Sequence, residues 1–193
     1  MARSNDTALV STLTTNDRIL EIASDPGSLQ EREDLRVLSP DFYVFSTQHN
    51  PYAAQSNEGF IGYARSLVEF NDPFVRAFSE AGLTILTGSD AGVPGIAPGY
   101  ALHDEFEALA EAGLDNRKIL EGTTRLAAEW LGVDGERGTV EAGKQADLVL
   151  LGANPLENIS NTRTIAAVIR GGRYLDRAEL DSMIAKLVQK NRR

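Results

Sequence analysis

Thr84-Ile85-Leu86-Thr87-Gly88-Ser89-Asp90-Ala91-Gly92 decides how this chain is read. Its first four residues are apolar or β-branched and run into a glycine, which predicts a short buried strand. The strand ends in a turn where glycines flank a single carboxylate. In α/β proteins this place, the C-terminal mouth of a parallel strand, is where chemistry is positioned. Just upstream, residues 74–81 have amphipathic helical spacing and Gly82 stops them. Helix, tight turn, strand and Gly-Ser-Asp-Ala-Gly form the last half of a βα repeat. Asp90 is therefore a candidate catalytic or metal-binding carboxylate. The competing reading is a turn aspartate that bonds its own backbone.

Toward the N-terminus, residues 7–15 (TALVSTLTT) read as a second strand, and Asn16 or Asp17 as the cap of a helix over residues 18–23. A short helix is expected around residues 29–38. Residues 39–57 hold Pro40, Pro51 and several aromatics and are long for a loop, so they form either a lid or helical turns. His49 lies there and reads as a surface or packing histidine. Residues 59–69 have helical spacing. Asn71-Asp72-Pro73 restarts the chain, with Asp72 as cap and Pro73 at the first helical position. The strands near Leu9 and Ile85 are expected to be parallel neighbours.

Toward the C-terminus, a Pro- and Gly-rich loop (residues 93–99) delivers a helix over residues 101–112. Leu102, Phe106 and Leu109 form its buried stripe. His103, near its start, is a candidate substrate-facing or supporting residue. Asp115 caps the next helix, and Thr123 or Thr124 begins another, with Trp130 and Leu131 packing at its end. Beyond Val133 the pattern becomes β-rich: residues 138–140 extended, residues 146–151 a strand central to its sheet, and residues 164–170 pairing with 173–175 across Gly171-Gly172. Asp176 and Glu179 have capping-box spacing for a last helix over residues 177–188. The expected division is an α/β part over 1–132, a small β module over 133–176 and a terminal helix over 177–193.

Bulk properties narrow the function classes. The 193 residues are 42% hydrophobic and 24% charged, as in ordinary globular chains. Asp and Glu outnumber Lys and Arg by 28 to 19, giving a net charge of -9 that argues against a nucleic-acid surface; the basic residues are scattered except for Arg192-Arg193. With no cysteine, disulfides and thiolate zinc sites are excluded. No apolar run is long enough for a membrane span, and the N-terminus has no signal-peptide core, so the expected location is cytoplasmic unless a missing N-terminal part carries a signal.

Several segments together resemble the end of a metal-dependent amidohydrolase, in the branch of imidazolonepropionases and Xaa-Pro dipeptidase-like members. They are Gly88-Ser89-Asp90-Ala91-Gly92, the Pro-Gly loop, Leu102-His103-Asp104-Glu105-Phe106, Glu111-Ala112-Gly113-Leu114 and residues 123–132. Residues 138–150 (GTVEAGKQADLVL) are similar to the family's strongest C-terminal signature, and Asn154-Pro155-Leu156-Glu157 with the Gly171-Gly172 hairpin completes the likeness. The resemblance implies a (β/α)8 TIM-like barrel with a small β-sandwich beside it. Residues 7–15 would be barrel strand seven and Asp90 the aspartate that ends strand eight, touching the catalytic metal and shuttling a proton from bound water. The cofactor implied is one or two divalent ions, most simply zinc, and the substrate a small-molecule amide, cyclic amide or dipeptide.

The same resemblance implies what is missing. The family carries a His-x-His pair on strand one, a Lys or Glu on strand four, and single histidines on strands five and six. This chain has His49 and His103 only. It reads as the incomplete C-terminal part of such a barrel: a truncated frame, the product of a broken gene or one chain of a split enzyme. Alone it is expected to bind no metal, and its partners are expected to be an N-terminal fragment or further copies of itself. The alternative function is a non-catalytic remnant or partner subunit.

Overall fold

The computed structural model describes residues 7–191; residues 1–6 and the Arg192-Arg193 pair lie outside the described residues. Strand β1 (Ala8–Val10) pairs in parallel with β2 (Thr84–Leu86), with Leu9 opposite Ile85. This is the neighbour relationship expected from sequence, but the first strand is much shorter than residues 7–15. It stops because Thr12 turns left-handed, at φ 48°, and helix α1 (Leu13–Ser24) starts at once. Asn16 and Asp17 consequently lie inside α1 rather than capping it.

The long connection from β1 to β2 is helical almost throughout. The helix expected around residues 29–38 is instead a turn followed by a 3-10 segment, Glu33–Val37. Leu35 and Leu38 are thereby buried with Ile22, Leu29 and Ala97 in one of two apolar clusters. Residues 39–57, left open between lid and helical turns, contain α2 (Pro40–Gln48) and a 3-10 turn, Ala53–Gln55. The restart predicted at Asp72-Pro73 does not occur. A single helix, α3 (Glu58–Glu80), runs through Pro73, opened by the Asn57 side chain, which accepts from the Phe60 amide at 3.0 Å. An interior proline removes one helical hydrogen bond. Here the helix continues because its apolar face is packed, with Ala64 and Val75 buried and the helix lying along α1.

After β2 come α4 (Tyr100–Glu111), α5 (Asn116–Thr123) and α6 (Arg125–Trp130). Phe106 and Leu109 of α4 are buried with Ile85, Val75 and Ile119 in the second cluster, which surrounds β2. Asp115 caps α5 by accepting the Arg117 amide at 2.9 Å, as its position predicts. Trp130 and Leu131, expected to pack, are exposed. No helix among the described residues is long and apolar enough to cross a membrane.

A separate antiparallel sheet has the order β3 (Leu148–Leu151), β4 (Ile165–Arg170), β5 (Arg173–Asp176). Thus β4 is central and the 146–151 strand, read as central, is a four-residue edge strand. Residues 138–140 join no ladder. The β4–β5 hairpin turns at Gly171 and Gly172, both with positive φ, and the Asp147 carboxylate accepts from the Gly171 amide at 2.6 Å. Helix α7 (Arg177–Asn191) opens with the Asp176 carboxylate accepting the Glu179 amide at 2.8 Å. It outruns residue 188, and at Asn191 the side-chain amide Nδ2 donates to the carbonyls of Val37 and Leu38.

Candidate active site at the mouth of the parallel strands

The C-terminal ends of β1 and β2 lie side by side, and each leads into an unusual backbone position. Among the described residues, Thr12 and Asp90 are the non-glycine residues with positive φ, 48° and 50°. Such left-handed conformations cost free energy for residues with a Cβ, least for Asp and Asn. Both occur just past a strand end, one at each neighbouring mouth. The Thr15 hydroxyl donates to the Ser89 carbonyl at 3.2 Å and ties the two mouths together. Gly88 lies close against the neighbouring strand: a Cβ there would stand 2.6 Å from Cγ1 of Val10, whose side chain would have to move.

Behind the mouth, α5 lies directly against β2. A Cβ on Gly122 would meet the Ile85 carbonyl oxygen at 2.5 Å. The Thr87 and Thr123 hydroxyls, 2.9 Å apart, join the same two elements one step nearer the mouth. Asp90 itself is exposed, and its carbonyl accepts from the Val93 amide at 3.2 Å. The turn therefore uses the backbone of Asp90 and leaves the carboxylate presented to solvent. A protein-held divalent ion needs three or four ligands. Among the described residues no group of three or more His, Asp or Glu side chains is placed to hold one.

His103 is on the first turn of α4, and its polar contact is with the 3-10 segment that precedes β4. Its Nδ1 lies 2.9 Å from the Thr162 hydroxyl. That hydroxyl donates its single hydrogen to the Ile159 carbonyl at 2.8 Å, so His103 Nδ1 carries a proton and donates. The ring stands edge-on to Phe106. Burial, with some help from Arg163, holds the imidazole below its ordinary pKa, against the opposing pull of Asp104 and Glu107. A neutral, Nδ1-protonated ring follows. Next to it Arg163 reaches Asp104 at 2.6 Å and grips both oxygens of Glu107 at 3.0 and 2.9 Å. His103 and Arg163 therefore attach α4 to the 3-10 segment Ile159–Arg163 that leads into β4. His49 is the exposed residue that ends α2 and joins neither group.

Sequence reading missed Glu105. This side chain is fully buried; its carboxylate accepts the Ser11 hydroxyl at 2.5 Å and the Thr14 amide at 2.9 Å. Burial raises its pKa, and the hydrogen bonds from Ser11, Thr14 and Leu13 oppose that rise. A signal was available: Glu105 falls three residues after Leu102 and four before Leu109, within the apolar stripe of its helix. Asp17, misread as a cap, has a pKa raised to about 6 by partial desolvation and then by the like charges of Asp72 and Glu111.

Comparison with known proteins gives this geometry a family. The profile of the amidohydrolase family matches residues 63–175. Imidazolonepropionase from Maricaulis maris is 33% identical over 133 residues, covering 66% of this chain and 33% of the relative. That of Rhizobium meliloti is 34% identical over 125 residues, covering 58% and 30%. The chain spans about a third of the length of these relatives. A Xaa-Pro dipeptidase crystallised with methionine in its active site superposes with a TM-score of 0.65 at 24% identity, covering 90% of this chain and 36% of that one. A bottromycin amidohydrolase superposes at 0.73 and 21%, covering 94% and 39%. At these identities the two structures speak for the fold alone. With its match extending over more than half of its residues, from within α3 to the end of the β4–β5 hairpin, this chain belongs to the amidohydrolase family.

Proposed function

We propose that this chain supplies the C-terminal part of a metal-dependent hydrolase of C–N bonds in small amides, cyclic amides or dipeptides. In this reading β1 and β2 are the seventh and eighth strands of a (β/α)8 barrel, residues 7–132 belong to that barrel, residues 133–176 to a small β-sandwich, and Arg177–Asn191 is a terminal helix. Asp90 is the carboxylate contributed to the active site, contacting the metal and moving a proton between the attacking water and the leaving group. His103, on the first turn of α4, is a substrate-facing or supporting residue. The observation that carries the reading is the exposed, left-handed Asp90 at the mouth of a parallel strand pair, in a chain whose imidazolonepropionase relatives match it over a third of their length.

The described residues do not by themselves fit a metal centre, since Asp90 stands without further ligands. The zinc or other divalent ion therefore belongs to the complete assembly, where its chemistry is to make water a stronger nucleophile at neutral pH. A two-stranded parallel sheet with Val10 half-exposed, and exposed Tyr63 and Phe70 on α3, support the need for a complementary N-terminal segment or a second copy. The same lack of ligands favours a second reading, that the chain on its own is a non-catalytic remnant or partner subunit.

Metal analysis and an amide-hydrolysis assay separate the two. The chain alone is expected to hold no stoichiometric zinc and to show background turnover. Co-expression with a segment supplying strands one to six is expected to bring both metal and activity, and Asp90→Asn to abolish the activity. Activity absent from every such mixture favours the non-catalytic reading. Near-stoichiometric zinc with turnover in the chain alone overturns the incompleteness argument.

A further inference from the structure

Helix α1 begins abruptly, two residues after β1 ends, and it begins without a cap of its own. Thr12 makes no capping hydrogen bond, and the first turn contains no acidic residue. The first amides of any helix lack intrahelical partners, and a negative charge is favourable beside them. Here the partner comes from another helix. Glu105, 91 residues away in α4, brings one oxygen to the Thr14 amide at 2.9 Å and the other to the Ser11 hydroxyl at 2.5 Å. These two contacts bracket the left-handed Thr12 on either side. A carboxylate is a costly way to fill a core position, since an apolar side chain of similar volume packs there without desolvating a charge. Its two oxygens are placed where uncapped backbone and a turning strand need acceptors.

The contact continues past α1. Thr15, one residue beyond the capped Thr14, donates its hydroxyl to the Ser89 carbonyl at 3.2 Å. Ser89 precedes Asp90, whose backbone is the second left-handed position at this mouth. Glu105, Ser11 and Thr14, Thr15, Ser89 and Asp90 thus form one connected set spanning α4, α1 and the loop after β2.

We propose that Glu105 is a positioning residue for the Asp90 carboxylate: it caps α1 from α4, holds the Thr12 turn, and through Thr15 fixes the backbone that aims Asp90. The mechanistic meaning rests on Asp90 being the reactive carboxylate, but the coupling itself does not. Glu105→Gln keeps the shape and one acceptor while placing an amide NH2 against a donor. It is expected to loosen residues 11–18 and 86–93 together and to leave the β3–β4–β5 sheet alone.

The test is hydrogen–deuterium exchange by mass spectrometry on the full chain. It compares wild type with Glu105→Gln, Thr15→Val and the double variant. Exchange in both segments is expected to rise about tenfold in Glu105→Gln, as for one lost charge-assisted hydrogen bond. In 86–93 the double variant is expected to match Thr15→Val, because the route is already cut. Unchanged exchange in 86–93 overturns the proposal, as does an equal rise in β4 and α7, which marks general loosening, or full additivity in the double variant. Should Glu105→Gln not fold, Ser11→Ala removes one hydrogen bond only and is read by the same criteria. In the assembled enzyme, Glu105→Gln is expected to lower kcat with metal content and KM unchanged. Failure of Asp90 to act in hydrolysis leaves the exchange pattern in place, so the two readings fall separately.

Discussion

The hydroxyl of Thr15 and the carbonyl of Ser89, 74 positions apart in sequence, meet at 3.2 Å, which makes the start of α1 and the loop carrying Asp90 one piece of structure. Each strand of the parallel pair supports its neighbour's mouth by this contact.

Asp90→Asn tests the carboxylate with least disturbance. Asn tolerates the left-handed backbone about as well as Asp, and the side chain is exposed. Thermal unfolding is expected to change by less than about 0.5 kcal/mol. In the assembled enzyme, turnover is expected to fall by about 100-fold or more, the usual worth of a positioned acid–base group. Asp90→Val, which forces a β-branched residue into the same backbone, is expected to lose stability as well.

Gly122→Ala is expected to destabilise the α5–β2 contact by about 1–3 kcal/mol in a denaturant titration, because the added Cβ would meet the Ile85 carbonyl at 2.5 Å. The obstacle is backbone, so no side-chain rotation relieves it. A loss below about 0.5 kcal/mol would show that α5 can shift freely on β2.

His103 makes stability depend on acid. Its folded pKa lies below 6.5, the unfolded value, so the neutral form contributes fully above pH 6.5 and that contribution is lost as pH falls through the folded pKa. His103→Gln donates to Thr162 without titrating. It is expected to flatten the decline in stability below pH 6.5 measured by urea unfolding at several pH values. An unchanged pH profile would contradict the neutral Nδ1-protonated ring. Metal content of the assembled enzyme is expected to be unaffected.

Asp17 acts with the opposite sign. Its folded pKa, about 6, exceeds the ordinary 3.8, so ionisation above pH 6 disfavours the folded chain and protonation on acidification relieves it. Asp17→Asn is expected to be the more stable protein at pH 7. The gain shrinks as pH falls from 6 and vanishes below about 4. Because the residue is solvent-accessible, screening holds that gain to less than about 1 kcal/mol. Equal stabilities at pH 7 would remove both the desolvation of Asp17 and its repulsion by Asp72 and Glu111 from the account.

What was legible in the sequence was local. The Thr84–Leu86 strand, the Gly171-Gly172 hairpin, the Asp115 cap and the Asp176–Glu179 pair each depend on residues within a few positions of one another. The family likeness was legible for a similar reason, being carried by short runs of ordered residues. The end of β1 was not, because the carboxylate that accepts from Ser11 and from the Thr14 amide, on either side of the Thr12 turn, is Glu105 in another helix. Nor was the passage of α3 through Pro73, where packing against α1 outweighs one missing hydrogen bond. His103 read as substrate-facing or supporting because it is close to Asp90 in sequence. Its partner Thr162 lies 59 residues on, in a segment whose place against α4 no local pattern encodes.

The end of α7 has a mechanical consequence. The β3–β4–β5 sheet shares no ladder with β1 and β2, and the Arg163 grip on Asp104 and Glu107 is one fastening between its surroundings and α4. Asn191, holding the carbonyls of Val37 and Leu38, is a second fastening at a different place. Losing the Asn191 contact therefore releases the far end of α7, while Arg163, His103 and the buried Ile159 still hold the other side of the module against α4 and the core.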